Sequence, residues 1–333
     1  MANANTTQFS DAIKTIYEKR LLMRALPRLV FGAGGKKASV SKAGSLEWRK
    51  YGSLSAVTSS LTEGTTPSEQ AAPTLSKVTA TPSWYGAWIM HSDQLDMQSF
   101  DPYISEMSAI LGEQAGLSVD TLIRNELVTG LTADYSADQS AITDLDHPLH
   151  EISYKDIVRQ IAELSQANAR PLEGASFRLI ISPFTWASLM QDEVFVNMFS
   201  DETDGGALRS GRVGKILNCN VYVTSNAYES ADGGSGTTDV YSAIFLGEEA
   251  FGVAGMAGLE PKMVDNMGAD EMNGMTGMPV NAAQVIIKPI GSSGTADPLD
   301  QRGTAGWKVT NDVQILNSAF GRNLYHTNVA SDD

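Results

Sequence analysis

Residues 101–127, DPYISEMSAILGEQAGLSVDTLIRNEL, carry the strongest structural signal in this chain. Asp101 can cap the first turn of a helix, and Pro102 suits the first helical position, where the backbone N–H has no partner. The apolar residues recur at helical spacing, at Ile104, Met107, Leu111, Ala115, Val119 and Leu122. We therefore predict one helix of about 40 Å, well above the usual length in globular proteins.

Two glycines, Gly112 and Gly116, lie one turn apart beside this apolar stripe. Each glycine costs a helix about 1 kcal/mol relative to alanine, so we expect a packing reason for both. A narrow stripe on a long helix is typical of a helix laid across a sheet. We predict that another element packs closely against the helix backbone at Gly112 and Gly116, and that Gly130 stops the helix.

Before this helix, residues 45–91 read as two extended stretches around a polar loop. Residues 45–54 (SLEWRKYGSL) predict one strand, and residues 77–90 (KVTATPSWYGAWIM) predict another, with Trp84, Gly86, Trp88 and Met90 on one face. The loop between them has about twenty residues of turn formers, a length that counts against a compact domain. An isolated hairpin is marginally stable in water. We therefore predict that this hairpin projects and lies on another copy of the protein.

The other segments alternate between helical and extended patterns. Residues 9–24 predict an amphipathic helix, and residues 29–43 an irregular arm along a surface. Residues 155–290 alternate strands and helices as an α/β unit, which contains a Met- and Gly-rich loop at 262–281. The alternating stretch at 307–316 predicts a strand that returns to the long helix.

The composition limits the classes of function. The 333 residues carry a formal net charge of −15, which argues against direct phosphate binding. The single cysteine, Cys219, excludes an internal disulfide framework and fits a reducing compartment. The sequence has neither an apolar run of about 18 residues nor a signal-peptide core, so we expect a soluble protein made in the cytoplasm.

No stretch of the sequence predicts an active site, a cofactor or a metal. His147 and His150, with Asp144 and Asp146, match no established metal-ligand spacing and are interpreted as a solvated acidic loop. Asp93 after Ser92 is better explained as a helix cap than as a ligand beside His91. Gly32 to Lys37 resembles a phosphate loop only loosely, because no Ser or Thr follows the lysines. Cys219 is predicted to be an inert core residue.

The methionines of the 262–281 loop allow two interpretations. Thioethers can bind a soft metal such as Cu(I). Methionine also repacks easily, which suits a contact between subunits, and we favour this second interpretation. The residues concerned are Met263, Met267, Met272, Met275 and Met278.

Four stretches, taken in order, resemble a known family. They are LTEGTTP (61–67), SDQLDMQSFDP (92–102), LGEQAGLSVDTLIRNEL (111–127) and GTADPLDQRGTAGWK (294–308). Together they closely resemble the major capsid proteins of podophages of the N-four-like type, over nearly the whole chain. The resemblance implies the α+β Hong Kong-type capsid fold shared by tailed phages, herpesviruses and encapsulins.

The resemblance also implies a domain organisation. Residues 1–44 correspond to the N-arm and residues 45–91 to the extended β-hairpin called the E-loop. Residues 92–154 and 291–333 correspond to the P-domain with its spine helix, and residues 155–290 to the axial A-domain.

The function implied is a major capsid protein that self-assembles into an icosahedral head around double-stranded DNA, without sequence-specific DNA binding and without a membrane. The alternative is an encapsulin-like compartment around a cargo enzyme. Implied partners are other copies in hexamers and pentamers, a separate scaffold protein, a portal and, in some relatives, a decoration protein. The resemblance implies no catalytic residue, and no motif around Lys77 supports the Lys–Asn cross-link of some relatives. The predicted inter-subunit contacts are Leu61, Glu63, Gly64 and Pro67 in the E-loop, and Met272, Met275 and Met278 at the A-domain tip.

Overall fold

The predicted long helix is present and organises the fold. In this computed structural model the described residues are 30–40, 44–98, 103–195, 215–256, 284–288, 290–291 and 297–331. The predicted cap at residues 101–102, the predicted helix at 9–24 and the methionine loop at 262–281 lie outside them. The helices of the described part are α1 (Asp93–Gln98), α2 (Tyr103–Gly130), α3 (Tyr154–Gln166) and α4 (Pro183–Leu189).

The strands of the described part form two large sheets and one hairpin. In chain order they are β1 (Lys36–Val40), β2 (Leu46–Tyr51), β3 (Leu75–Ala80), β4 (Ser83–Ser92), β5 (Thr132–Tyr135), β6 (Phe177–Ile181), β7 (Lys215–Ile216), β8 (Cys219–Val223), β9 (Glu229–Ser230), β10 (Val240–Leu246), β11 (Phe251–Met256), β12 (Gln284–Lys288), β13 (Arg302–Ile315) and β14 (Gly321–His326).

The long helix α2 lies across the five-stranded sheet, as its narrow stripe predicts. One row of its buried residues recurs every four positions, at Met107, Leu111, Ala115, Val119, Ile123 and Leu127. The predicted Leu122 is only half-buried, and Ile123 takes its place in the stripe. The indole Nε1 of Trp307 in β13 donates to Gln114 Oε1 of the helix, 3.1 Å away. The predicted return of the 307–316 strand to the long helix is therefore confirmed.

The helix ends at Gly130, three residues beyond the quoted stretch. A Cβ at Gly130 would run into the side chain of Ile315 at the end of β13. This glycine is therefore required by the close approach of the helix end to the sheet.

The five-stranded sheet is centred on β13, a strand of 14 residues. β4 pairs with β13 antiparallel from Arg302↔Ser92 to Asn311↔Ser83, and β11 and β12 pair with it too. A Cβ at Gly86 would lie 2.6 Å from the carbonyl oxygen of Trp307, so only glycine lets the two strands approach this closely.

The seven-stranded sheet has the order β5-β14-β10-β6-β8-β7, with β9 also paired to β10. Every residue of β6 and β10 is buried. Ser153 and Asp156 form a capping box at the start of α3. Each sheet combines strands that are far apart in the chain. The seven-stranded sheet includes β5 and β14, although β11, β12 and β13, which lie between them in the chain, belong to the five-stranded sheet.

Two sequence predictions were wrong in this region. Residues 77–90 form two strands rather than one, because Pro82 has no N–H for a ladder and Thr81 N donates instead to Asp312 Oδ2, 2.5 Å away. The segment 29–43 is more than an irregular arm. Within it, residues Phe31–Gly34 form a 3-10 turn, and β1 pairs in parallel with β11.

Candidate assembly surfaces

The first candidate surface is the projecting hairpin of β2 and β3. The two strands pair antiparallel from Leu46↔Ala80 to Tyr51↔Leu75. One further hydrogen bond, from Gly52 N to Thr74 O at 2.7 Å, closes the ladder. Residues 52–74 beyond it form no regular structure. Lys77 Nζ contacts Glu47 Oε1 across the strands at 3.1 Å, so the lysine is held in an ion pair of the hairpin.

The tip of this hairpin exposes apolar side chains. Leu61 is 77% exposed, and Leu54 and Val57 are also exposed. Gly64 has a φ of 78° in the turn that Thr65 N closes onto Thr62 O, a conformation that favours glycine. The predicted contact residues Leu61, Glu63, Gly64 and Pro67 all lie on this exposed tip. Their contact with a second copy stays a prediction.

The second candidate surface is one face of the five-stranded sheet, which we call the aromatic face and define as Trp84, Trp88, Met90 and Ile286. All four side chains are exposed, Trp88 by 68%. Gly306 lies opposite Trp88 and also opposite Ile286, so the centre of the face has no side chain. A shallow groove of about 530 Å³ results. At its rim, Lys308 Nζ lies 3.8 Å from the ring centroid of Trp84, a cation–π contact.

The opposite face of β4 packs inward, where Ala87 and Ile89 contact the core beneath α2. The sequence indicated the alternation of β4 but not which face is covered, because both faces of this strand are apolar. The exposure of the aromatic face was therefore missed. The only sequence signal for this exposure would have been that no second amphipathic helix is predicted that could cover the aromatic face.

The remaining predicted site residues are placed as follows. Gly112 and Gly116 are buried in α2. Their close packing against another backbone stays a prediction. Met272, Met275 and Met278 lie outside the described residues.

The histidine and acidic cluster has an ordinary local role. His147 Nε2 lies 3.0 Å from Glu151 Oε1, and His150 Nδ1 accepts from the backbone N–H of Asp146 at 2.8 Å. Ser92 Oγ accepts from Leu95 N at 3.3 Å, as a helix cap does. Among the described residues, no three His, Cys, Asp or Glu side chains are grouped so that they could hold a metal ion.

Cys219 is buried in β8. Burial raises the pKa of its thiol to about 12. A thiol is reactive as the thiolate, so the predicted inert role fits this environment. Within the described part of the chain, no helix combines the length and the hydropathy needed to cross a membrane.

His326 in β14 provides a pH-dependent prediction. Its ring is fully buried, with Nε2 3.3 Å from Thr185 Oγ1 and Nδ1 2.9 Å from the carbonyl oxygen of Thr327. Burial lowers its pKa from 6.5 to about 4. Because the folded pKa lies below the unfolded one, the stability from His326 is present above pH 6.5 and is lost as the pH falls towards 4. We expect a loss of about 3 kcal/mol in the free energy of unfolding.

This loss is measured by denaturant unfolding across that pH range, in the wild type and in His326→Gln. Other groups titrate in the same range, so the difference between the two pH profiles is the decisive quantity. The variant should have the flatter profile. Parallel profiles would show that His326 does not sense acid in the folded state.

One family model matches most of the chain. A family model described as phage capsid protein matches residues 76–315. The chain belongs to this phage capsid family. The match begins in β3 and ends with the last residue of β13, so it includes the aromatic face and the whole of α2. The family match favours a phage capsid over the encapsulin-like alternative. The members of this family are capsid proteins, which are structural proteins.

Solved phage capsid structures share the fold of this capsid protein. They include the capsid of Ralstonia phage GP4, with a TM-score of 0.63, 15% identity, and coverage of 90% of this chain and 88% of that chain. The cyanophage Pam1 capsid has a TM-score of 0.65 and 11% identity over 93% of each chain. Mycobacterium phage Che8 has a TM-score of 0.58 and 14% identity, over 89% of this chain and 90% of that chain. The predicted α+β capsid fold is thus confirmed. No curated protein matches the sequence significantly.

Proposed function

We propose that this chain is the major capsid protein of a phage head, assembling into the icosahedral shell that encloses double-stranded DNA. The observation that carries the proposal is the family match over residues 76–315, which includes α2 and most of the five-stranded sheet. The four collinear sequence stretches further support a podophage of the N-four-like type. The virion capsid is then the site of the mature protein, after synthesis in the host cytoplasm.

The projecting hairpin is the proposed E-loop, which lies on a neighbouring copy in the shell. Its tip exposes Leu54, Val57 and Leu61 to water, although a two-stranded hairpin gains little stability alone. The aromatic face supports assembly as well, because contiguous exposed apolar surface marks protein–protein contacts. Each copy thus presents two uncovered apolar surfaces, at the hairpin and on the body.

The long helix α2 is the proposed spine helix of the P-domain, and residues 155–290 supply the A-domain. Copies meet in hexamers and pentamers around the symmetry axes. A separate scaffold protein, a portal and, in some heads, a decoration protein complete the set of proposed partners. The net charge of −15 supports a lining that repels phosphates, so that packaged DNA remains mobile.

The A-domain tip near the methionine loop is proposed to hold the capsomers together. Replacing Met272, Met275 and Met278 together by Gln should shift the mass distribution from rings of five and six copies towards single subunits, measured by native mass spectrometry. The expected cause is the loss of adaptable apolar contacts. Met256→Gln, at the end of β11 and outside the loop, is the control. Unchanged rings, together with tight copper binding by the wild type, would favour the metal interpretation of the loop instead.

A further inference from the structure

Asp120 is a fully buried carboxylate in the middle of α2. Its Oδ1 accepts from the backbone N–H groups of Val30, at 3.0 Å, and Phe31, at 2.9 Å. Its Oδ2 accepts from Asn226 Nδ2 at 3.0 Å. A buried charge is costly unless such donors satisfy it, and here three of them converge on one carboxylate.

The chain segment that Asp120 holds is also gripped from its other side. The carbonyl oxygen of Val30 accepts from Arg178 Nη1 of β6 at 3.2 Å. Arg178 is itself fixed, because its Nε donates to Glu173 Oε1 at 2.8 Å and its guanidinium lies 4.3 Å from the ring centroid of Tyr222. The ring of Phe31 is 1% exposed in the core beneath α2. Residues 30–31 are therefore held both by the long helix α2 and by β6 of the seven-stranded sheet.

Asn226 connects the seven-stranded sheet to Asp120. It lies between β8 and β9, and its side-chain oxygen accepts from Arg124 Nη1 at 3.0 Å and from Thr121 Oγ1 at 3.3 Å. These two donors on α2 fix the amide so that its NH₂ group faces Asp120. The carboxylate thus lies where the arm, the long helix and the β8–β9 loop meet.

We propose that Asp120 is a latch that fixes Val30 and Phe31 of the arm to the body of the subunit. It is a positioning residue: it accepts both arm N–H groups on one oxygen and locks the β8–β9 loop with the other. Displacement of the arm at Val30 then leaves the buried Asp120 without two of its three donors, at the point where the long helix contacts the β8–β9 loop. The latch therefore couples the position of residues 30–31 to the contact between the long helix and the β8–β9 loop.

Hydrogen exchange of the full-length protein tests the latch. Asp120→Ala should raise the exchange rate of the amides at residues 30–35 by about tenfold, because two charge-assisted hydrogen bonds are lost. Exchange in β10, whose residues are all buried, should stay unchanged in the same sample. Asp144→Asn, at an exposed position that contacts Ser140, is the matched control and should change neither region.

A swap of the two side chains makes the test specific. Asp120→Asn alone places two NH₂ groups against each other and should also raise exchange at residues 30–35. The double variant Asp120→Asn with Asn226→Asp restores the pairing, since the new carboxylate faces Arg124 and the new amide oxygen can accept both arm N–H groups. We expect its protection at residues 30–35 to return to within about threefold of the wild type. No recovery in the double variant, or a rise that extends equally to β10, would overturn the latch.

Discussion

Deletion of residues 59–73 is expected to leave a folded, soluble subunit that no longer forms shells. In the structure, the hydrogen bonds of this tip are local, such as Thr65 N to Thr62 O, or reach only Ser55 O from Gln70 Nε2. Its side chains are exposed throughout. Removing them therefore costs almost no buried surface, and the free energy of unfolding should change by less than about 0.5 kcal/mol.

Two measurements separate folding from assembly in this deletion. Thermal unfolding should give the wild-type midpoint, and sedimentation should show only small species where the wild type gives particles. A same-length replacement of residues 59–73 by Gly and Ser is the control, because it keeps the reach of the hairpin and removes its side chains. Normal particles from the deletion would refute an intermolecular hairpin. If the Gly/Ser replacement forms normal particles and the deletion does not, assembly depends on the length of the hairpin rather than on its side chains.

The second large effect is expected from Gly116→Leu in the long helix. In an exposed helix, replacing glycine by a good helix former stabilises by about 1 kcal/mol. In a close-packed site, added volume costs about 1–3 kcal/mol instead. The sign of the change in unfolding free energy therefore decides between the two environments. Gly116 is buried, so we expect destabilisation, poor solubility and aberrant assembly.

Thr129→Leu supplies the matched control for this variant. It adds a leucine to the same helix at an exposed position, and it should change the unfolding free energy by less than about 0.5 kcal/mol. The comparison is made by denaturant unfolding of both variants beside the wild type. A Gly116→Leu subunit that unfolds later than the wild type and builds normal particles would show that nothing packs closely at Gly116.

The sequence predicted the long helix well because its periodicity has a direct physical cause. Met107, Leu111, Ala115 and Val119 share one face, and burial of that face against β13 holds the helix in place. The hairpin was predictable for the opposite reason. Its loop contains too few apolar residues to fold on itself, and the structure leaves Leu61 exposed.

Other features depend on contacts between distant residues, which a local pattern does not contain. The apolar alternation of residues 77–90 continues through Pro82, so it gave no sign that the strand changes partner there. β1 was missed because the Gly- and Lys-rich segment around it has no periodicity of its own. It is held as a strand by pairing with β11, more than two hundred residues away.

Asp120 was missed for a related reason. A single charged residue in an amphipathic helix normally lies on the solvated face, and the donors that satisfy this one come from Val30, Phe31 and Asn226. The aromatic face was missed because the sequence pattern of an apolar residue is the same whether a second copy or the protein's own core covers it. Strand periodicity shows which residues share a face, but it does not show what packs against that face.

Electron microscopy of the purified wild-type chain tests the central proposal most directly. Under conditions that promote assembly, including addition of a scaffold protein from the same phage, we expect closed shells with icosahedral symmetry. Within them, each hairpin should lie against a neighbouring copy, and α2 should lie in the wall of the shell. A chain that remains a soluble monomer under all of these conditions would contradict the account, as would ordered particles without five-fold vertices.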